Sequence, residues 1–290
     1  MTESSDLFWS SADGLQLYAR DYAGGGDKTP VICIHGLTRN SKDFEDLAPS
    51  IAATGRRVIA VDVRGRGRSD HDPQPANYHP GTYAADIVAL MAQQMIPQAV
   101  FVGTSMGGII TMVLASFAPQ AIAAAVLNDI GPELSPVGLA RIGGYVGQGK
   151  PVESWADAAA YSKTINSSAF PDAPAQEWDR FARRTFREGE DGKPVLDYDP
   201  GIALAFKADP DAPPVAQPDM WPLFRALTTG RPTLLIRGEL SDLVDEAIAL
   251  KMRNAAPDMA YAEVPRVGHA PMLTEPQAWA AIESFLARVP

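Results

Sequence analysis

The sequence is poor in cysteine: Cys33 is the only one among 290 residues. No internal disulfide can form, and a reducing, cytoplasmic setting is the expectation. Cys33 lies in the apolar run Val31-Ile32-Cys33-Ile34, where a thiol behaves as a small buried hydrophobe. Long apolar runs are missing too. No stretch approaches the roughly 20 apolar residues of a bilayer-spanning helix. The opening Met1-Thr-Glu-Ser-Ser-Asp has no basic region ahead of an apolar one, so neither membrane insertion nor a secretory signal is expected. Positive charge is in deficit. With 25 Lys and Arg against 35 Asp and Glu, the formal net charge of −10 repels a phosphate backbone, so nucleic acid is not an expected partner. The acidity selects no substrate.

What remains is an ordinary globular composition, 46% hydrophobic and 21% charged, in a chain long enough for one α/β domain with an insertion. Short apolar runs alternate with helical patterns, the mark of a mainly parallel sheet covered on both faces. The opening differs: residues 7–11 and 15–22 flank Ala12-Asp13-Gly14 and read as a hairpin at the sheet's edge. Residues 30–34, 57–63, 99–102 and 123–128 read as buried strands. Between them, Phe44, Leu47 and Ile51 share a helical face that Pro49 interrupts, and Tyr83, Ile87, Leu90 and Met91 share another. Met106, Ile109, Ile110, Val113, Leu114 and Phe117 mark a buried helix that stops before Pro119.

After Gly131-Pro132 the alternation lapses for too long to be a structureless loop. Residues 133–220 are therefore expected to form a cap, with 1–132 and 221–290 as the core. The cap holds Trp155, Tyr161, Trp178, Phe181, Phe186 and Phe206, with proline-rich joints such as Asp211-Ala-Pro-Pro. The α/β pattern resumes at Pro232-Thr-Leu-Leu-Ile-Arg, continues through a helix near 246–254 and a strand near 260–264, and ends in a helix with Trp279, Ile282 and Phe285 on one face.

Gly103-Thr104-Ser105-Met106-Gly107 is a G-x-S-x-G segment set between a strand and a helix. A serine at such a sharp turn projects its hydroxyl above the strand ends, and the glycines leave room for backbone to pass. Ser105 is the expected nucleophile. His35-Gly36-Leu37 ends an earlier strand, which places the Leu37 backbone N–H to join that of Met106 as an oxyanion hole. His35 reads as loop support. Val267-Gly268-His269-Ala270-Pro271 follows the last strand and supplies His269 as the base. The acid should follow a strand end between Ser105 and His269. Gly238-Glu239-Leu240-Ser241-Asp242 offers Asp242, with Glu239 and Asp245 as less favoured neighbours and Asp129 as a separate rival. Asp242 is favoured because it follows a strand by a short glycine-containing loop. Asp129, followed at once by Ile130-Gly131-Pro132, is expected to bond loop backbone.

Together with Asp62-Val-Arg64-Gly65-Arg-Gly67-Arg-Ser69, which is similar to a D-x-R-G-x-G-x-S turn, these motifs resemble the α/β-hydrolase superfamily. Within it the chain is similar to the cap-bearing esterases, lactonases and carbon–carbon hydrolases. The resemblance implies a mostly parallel eight-stranded sheet flanked by helices, with an inserted helical cap. It implies hydrolysis of small to medium, fairly apolar carboxylic esters, with no cofactor and no metal. Lactone opening and carbon–carbon cleavage of a diketone stay open as alternatives, as does a non-catalytic ligand-binding role. Members with an aspartate nucleophile, such as epoxide hydrolases, are disfavoured by Ser105.

Two other segments invite a different reading. Gly144-Tyr-Val-Gly-Gln-Gly149-Lys150 nearly spells a phosphate-binding loop, but Pro151 replaces the hydroxyl residue that would hold magnesium. His71 and His79, with Asp70 and Asp72, fit no compact zinc spacing and read as solvated loop.

Overall fold

The computed structural model describes residues 3–147, 152–206 and 218–290. The joint at Asp211 and the end of the Gly144–Pro151 segment lie outside the described residues. Among those described, no helix is long and apolar enough to cross a membrane.

Strands β1 (Ser5–Ser10) and β2 (Gln16–Tyr22) form the expected edge hairpin, with Gly14 at φ +90° in its turn. β3 (Val31–Ile34), β4 (Val58–Asp62), β5 (Ala99–Thr104), β6 (Ile122–Asn128), β9 (Thr233–Gly238) and β10 (Ala260–Val264) complete an eight-stranded sheet in the order β1-β2-β4-β3-β5-β6-β9-β10. The pairs from β4 to β10 are parallel. Parallel strands need a crossover, and the helices supply it. Helices α1 (Leu47–Ala52) and α9 (Pro276–Leu286) pack on one face; α2 (Pro80–Gln93), α3 (Met106–Phe117), α7 (Trp221–Thr228) and α8 (Glu246–Ala255) pack on the other.

Period-two alternation sorts the strand residues between the faces. Ile32 and Ile34 join the α2/α3 side while Val31 and Cys33 join the α1/α9 side; Phe101 and Val102 divide likewise. Both faces are covered, so these strands are apolar throughout, as the sequence showed. Cys33 is fully buried, and burial pushes its thiol up, away from reactivity.

The helix expected around Phe44, Leu47 and Ile51 is divided into a 3-10 turn, Ser41–Phe44, and α1. Pro49 falls in the first turn of α1, where a missing N–H breaks no intrahelical bond.

Between β6 and α7 stand α4 (Pro136–Gly143), α5 (Trp155–Asn166), α6 (Ala175–Thr185), the hairpin of β7 (Phe186–Glu188) and β8 (Pro194–Leu196), and a 3-10 segment, Pro200–Phe206. Ala158, Ala182 and Phe186 form a small core there with Trp155 and Tyr161. Ile142, Val146, Tyr198 and Ile202 instead join the main core.

Candidate active site

The carboxyl ends of β3, β5, β6 and β9 converge on one region, the place where open parallel sheets gather their functional loops. At the end of β5 the chain enters α3 through Ser105, held at φ +52°, ψ −115°. This is costly backbone for a residue with a side chain, and it is sustained by its surroundings. The Ser105 N–H donates to the Asn128 carbonyl at 3.0 Å, and a Cβ on Gly107 would lie 2.0 Å from the Ile34 carbonyl oxygen. A Cβ on Gly103 would meet Gly107 backbone at 2.5 Å. Only glycine lets β3, β5 and α3 close around the turn.

His269 lies on the loop after β10. The Ser105 hydroxyl and His269 Nε2 are 3.0 Å apart, and His269 Nδ1 lies 2.7 Å from Asp129 Oδ2. An ionised carboxylate can only accept, so Nδ1 carries the proton and Nε2 is left to accept from the serine. Asn128 braces both partners: its Nδ2 donates to Thr104 Oγ1 at 3.0 Å and to the Pro271 carbonyl at 2.8 Å.

The carboxylate facing His269 is therefore Asp129, and the expectation of Asp242 is corrected. Asp129 is fully buried and follows β6 at φ +54°, which turns its side chain toward the end of β9. Its Oδ1 accepts from the Gly238 N–H at 2.9 Å, and its Oδ2 accepts from the Ser241 hydroxyl at 2.6 Å. The backbone group it meets therefore belongs to the end of β9 and not, as expected, to its own loop, and the bond to His269 is unforeseen. Ser241 Oγ in turn accepts from the backbone of Val244 at 3.0 Å. Asp242 bonds not His269 but Arg141 of α4, in a bidentate pair at 2.5 and 2.9 Å. Burial pushes Asp242 up, but the bond and charge of Arg141 outweigh it and hold the carboxyl below its usual range. Glu239 accepts from the Arg266 N–H, and Asp245 caps α8.

Leu37, Ser105 and Met106 line one cavity of about 370 Å³. Its lining is mostly apolar: Ile109 from α3, and Ile130, Leu134, Leu139, Ile142, Phe170 and Phe181 from the stretch between β6 and α7. Arg39 and Asp43 are its charged pair, joined at 2.9 Å, and Arg39 also reaches Thr185 of α6. Of the aromatic residues singled out in the sequence, Phe181 lines the cavity, where Tyr145 and Phe170 join it, whereas Trp155 stacks on Arg183 at 3.6 Å and Trp178 packs on Phe181.

His35 supports its loop. It is fully buried, its Nε2 accepts from the Val63 N–H at 3.0 Å, and its Nδ1 donates to the Gly36 carbonyl at 2.7 Å. Burial lowers its pKa to about 3, so it stays neutral. The arginine-rich turn finds its partners within the chain: Arg64, buried, pairs with Asp13, Asp72 and Asp86, and Arg68, exposed, pairs with Asp6. His79 caps α2, accepting from Gly81, and His71 lies 3.5 Å from Asp199.

Residues 29–276 match the family model described as alpha/beta hydrolase fold. The chain is 34% identical over 259 residues to a 3-hydroxybutyrate-oligomer hydrolase of Cupriavidus necator, a match covering 88% of this chain and 87% of that one. It is 28% identical over 267 residues to a 2-(acetamidomethylene)succinate hydrolase of Mesorhizobium japonicum, covering 92% and 90%. The crystal structure of an alpha/beta hydrolase from Novosphingobium aromaticivorans superposes with a TM-score of 0.91 at 47% identity over the whole of both chains.

Proposed function

The chain belongs to the alpha/beta hydrolase family, and from that premise we propose that it is a serine hydrolase of carboxylic esters, with Ser105 as nucleophile, His269 as base and Asp129 as the orienting acid. The observation that carries this reading is the imidazole of His269 bonded on one nitrogen to Ser105 and on the other to Asp129. His269 Nε2 takes the hydroxyl proton as Ser105 Oγ attacks the ester carbonyl. The N–H groups of Leu37 and Met106 hold the negative oxygen of the tetrahedral intermediate. Its collapse expels the alcohol, which receives the proton from His269. Water then attacks the acyl-serine with His269 again as base, and the acid leaves. Asp129 fixes the Nδ1–H tautomer and offsets the imidazolium charge without itself gaining a proton.

The apolar cavity suits short to medium acyl groups, and the relative from Cupriavidus necator makes oligomers of 3-hydroxybutyrate the first substrates to try. Residues 133–220 act as the cap, bringing Phe170 and Phe181 over the nucleophile.

The test is a panel of p-nitrophenyl esters from acetate to octanoate, 3-hydroxybutyrate dimer and trimer, a γ-lactone and a vinylogous diketone. Ester turnover and labelling of Ser105 by a phosphonate are expected. Ser105→Ala should lose a factor on the order of 10³ or more in kcat while remaining folded. Near-normal ester turnover in that variant, or diketone cleavage outrunning every ester, would refute the reading.

A further inference from the structure

Arg66 is a fully buried arginine without a carboxylate partner within salt-bridge reach among the described residues. Its neighbour in sequence, Arg64, shows the usual solution for a buried guanidinium, since three aspartates surround it. Arg66 instead donates from Nε to the Leu37 carbonyl at 2.9 Å, and from the other nitrogens to the Arg64 carbonyl at 2.8 Å, the Tyr83 hydroxyl at 2.9 Å and Met106 Sδ at 3.6 Å. Its guanidinium lies over the rings of Tyr83 and Tyr78, 4.9 and 5.6 Å from their centres. Every hydrogen-bond partner is neutral, and the carboxylate that acts on it, Asp199, does so from beyond salt-bridge reach while accepting from the Tyr78 hydroxyl. Taking a cation out of water without a counter-charge is unfavourable, and rings and carbonyls compensate only in part. Two of these contacts are with Leu37 and Met106, the residues whose N–H groups are proposed as the oxyanion hole.

We infer that Arg66 is the positioning residue of the oxyanion hole: it fixes Leu37 and Met106 from behind, and its buried charge meets its counter-charge when the tetrahedral oxyanion forms. The inference rests on the serine-hydrolase reading above. Attack on a neutral carbonyl creates a negative oxygen beside the Leu37 and Met106 N–H groups. In this dry interior a cation one residue layer away is weakly screened, so it favours the intermediate over the uncharged ester. The gain is absent in the ground state, so it belongs to kcat and not to KM. Direct loss of an oxyanion donor costs about 10²–10³ in kcat. A residue acting from behind such donors should account for less, roughly 10- to 100-fold.

The test compares wild type, Arg66→Met and Arg66→Lys on p-nitrophenyl butyrate, with an alkylboronic acid as a probe that becomes a tetrahedral anion on Ser105. For Arg66→Met the expected result is a kcat lowered about 10- to 100-fold and a KM within about threefold of wild type. Boronate inhibition should weaken by the same factor as kcat/KM, and the melting temperature should hold, since an unpaired buried charge has been removed. Arg66→Lys keeps the charge but not the fork, and should lie between the two. An Arg66→Met kcat within twofold of wild type overturns the inference. So does a fall in kcat with unchanged boronate affinity, or an Arg66→Lys no faster than Arg66→Met. Should Arg66→Met fail to fold, Arg66→Gln, neutral but able to donate to Leu37, is read by the same measurements. Phosphonate labelling of Ser105 in the wild type reports on the parent reading, so the two failures are distinguishable.

Discussion

Asp129→Asn isolates the acid with the least change of shape. The carboxylate accepts three hydrogen bonds, from Gly238, Ser241 and His269. A carboxamide has one acceptor oxygen and one NH2, so it cannot accept all three. If the oxygen stays with the Gly238 N–H, the NH2 takes the place of Oδ2 and presents a donor to His269 Nδ1. The imidazole must then carry its proton on Nε2, where it can no longer accept from Ser105. In a serine protease that tautomer defect is worth about 10⁴ in kcat, or roughly 5.5 kcal/mol of transition-state stabilisation. Asp242→Asn removes instead one member of a half-exposed ion pair with Arg141. Such pairs contribute about 0–1 kcal/mol, and this one bonds neither Ser105 nor His269, so kcat should stay within about threefold of wild type. Both variants are to be assayed for kcat on p-nitrophenyl butyrate and for melting temperature. A hundredfold loss in Asp242→Asn beside a mild one in Asp129→Asn would refute the assignment.

Below pH 6.5 the unfolded chain protonates His35 while the folded one, with its pKa near 3, does not, so stability falls with pH across that window. Between pH 6.5 and 5 this group alone should lower stability by roughly 2 kcal/mol, a slope that denaturant titrations should find flattened in His35→Asn. Gly107→Ala should not yield folded protein, because its Cβ would lie 2.0 Å from the Ile34 oxygen; Gly36→Ala, whose nearest contact is 3.6 Å, should melt within a few degrees of wild type. Soluble yield and thermal scans decide both. Phe181→Ala should move the preferred acyl length upward by opening the cavity, while Trp155→Ala should leave selectivity unchanged and cost stability; kcat/KM across the ester series separates them.

The sheet was legible because its strands are apolar on both faces and short, so composition and length alone mark residues 30–34, 57–63 and 99–102, close to the strands at 31–34, 58–62 and 99–104. The hairpin was legible from Asp13-Gly14, and the Ser105 turn from glycines whose necessity is steric and local. The insertion announced itself only as a failure of pattern. Which of its rings face the cavity depends on how α5 and α6 lie against the core, a long-range matter that periodicity within one helix does not encode. Trp178 and Phe181 illustrate this: they sit on one helix, packed together, and only Phe181 reaches the cavity.

The carboxylate that meets His269 is hard to read from the sequence for a related reason. Sequence order allows any carboxylate after a strand end between Ser105 and His269, and both Asp129 and Asp242 qualify. What separates them is the direction of a single side chain, set by backbone geometry that composition does not report. Asp129 takes a positive φ at the very end of β6, uncommon for a residue other than glycine but tolerated best by Asp and Asn. This conformation carries its carboxylate sideways to the end of the adjacent β9. There Ser241, not Asp242, faces it, and that hydroxyl bonds the same oxygen as His269. Asp242, one residue further on, is taken up by the Arg141 that α4 presents to it. A serine one place before the favoured aspartate was the available signal. It becomes readable only once β6 and β9 are known to be neighbours, because an uncharged residue facing the histidine's partner is what leaves room for a carboxylate arriving from the next strand.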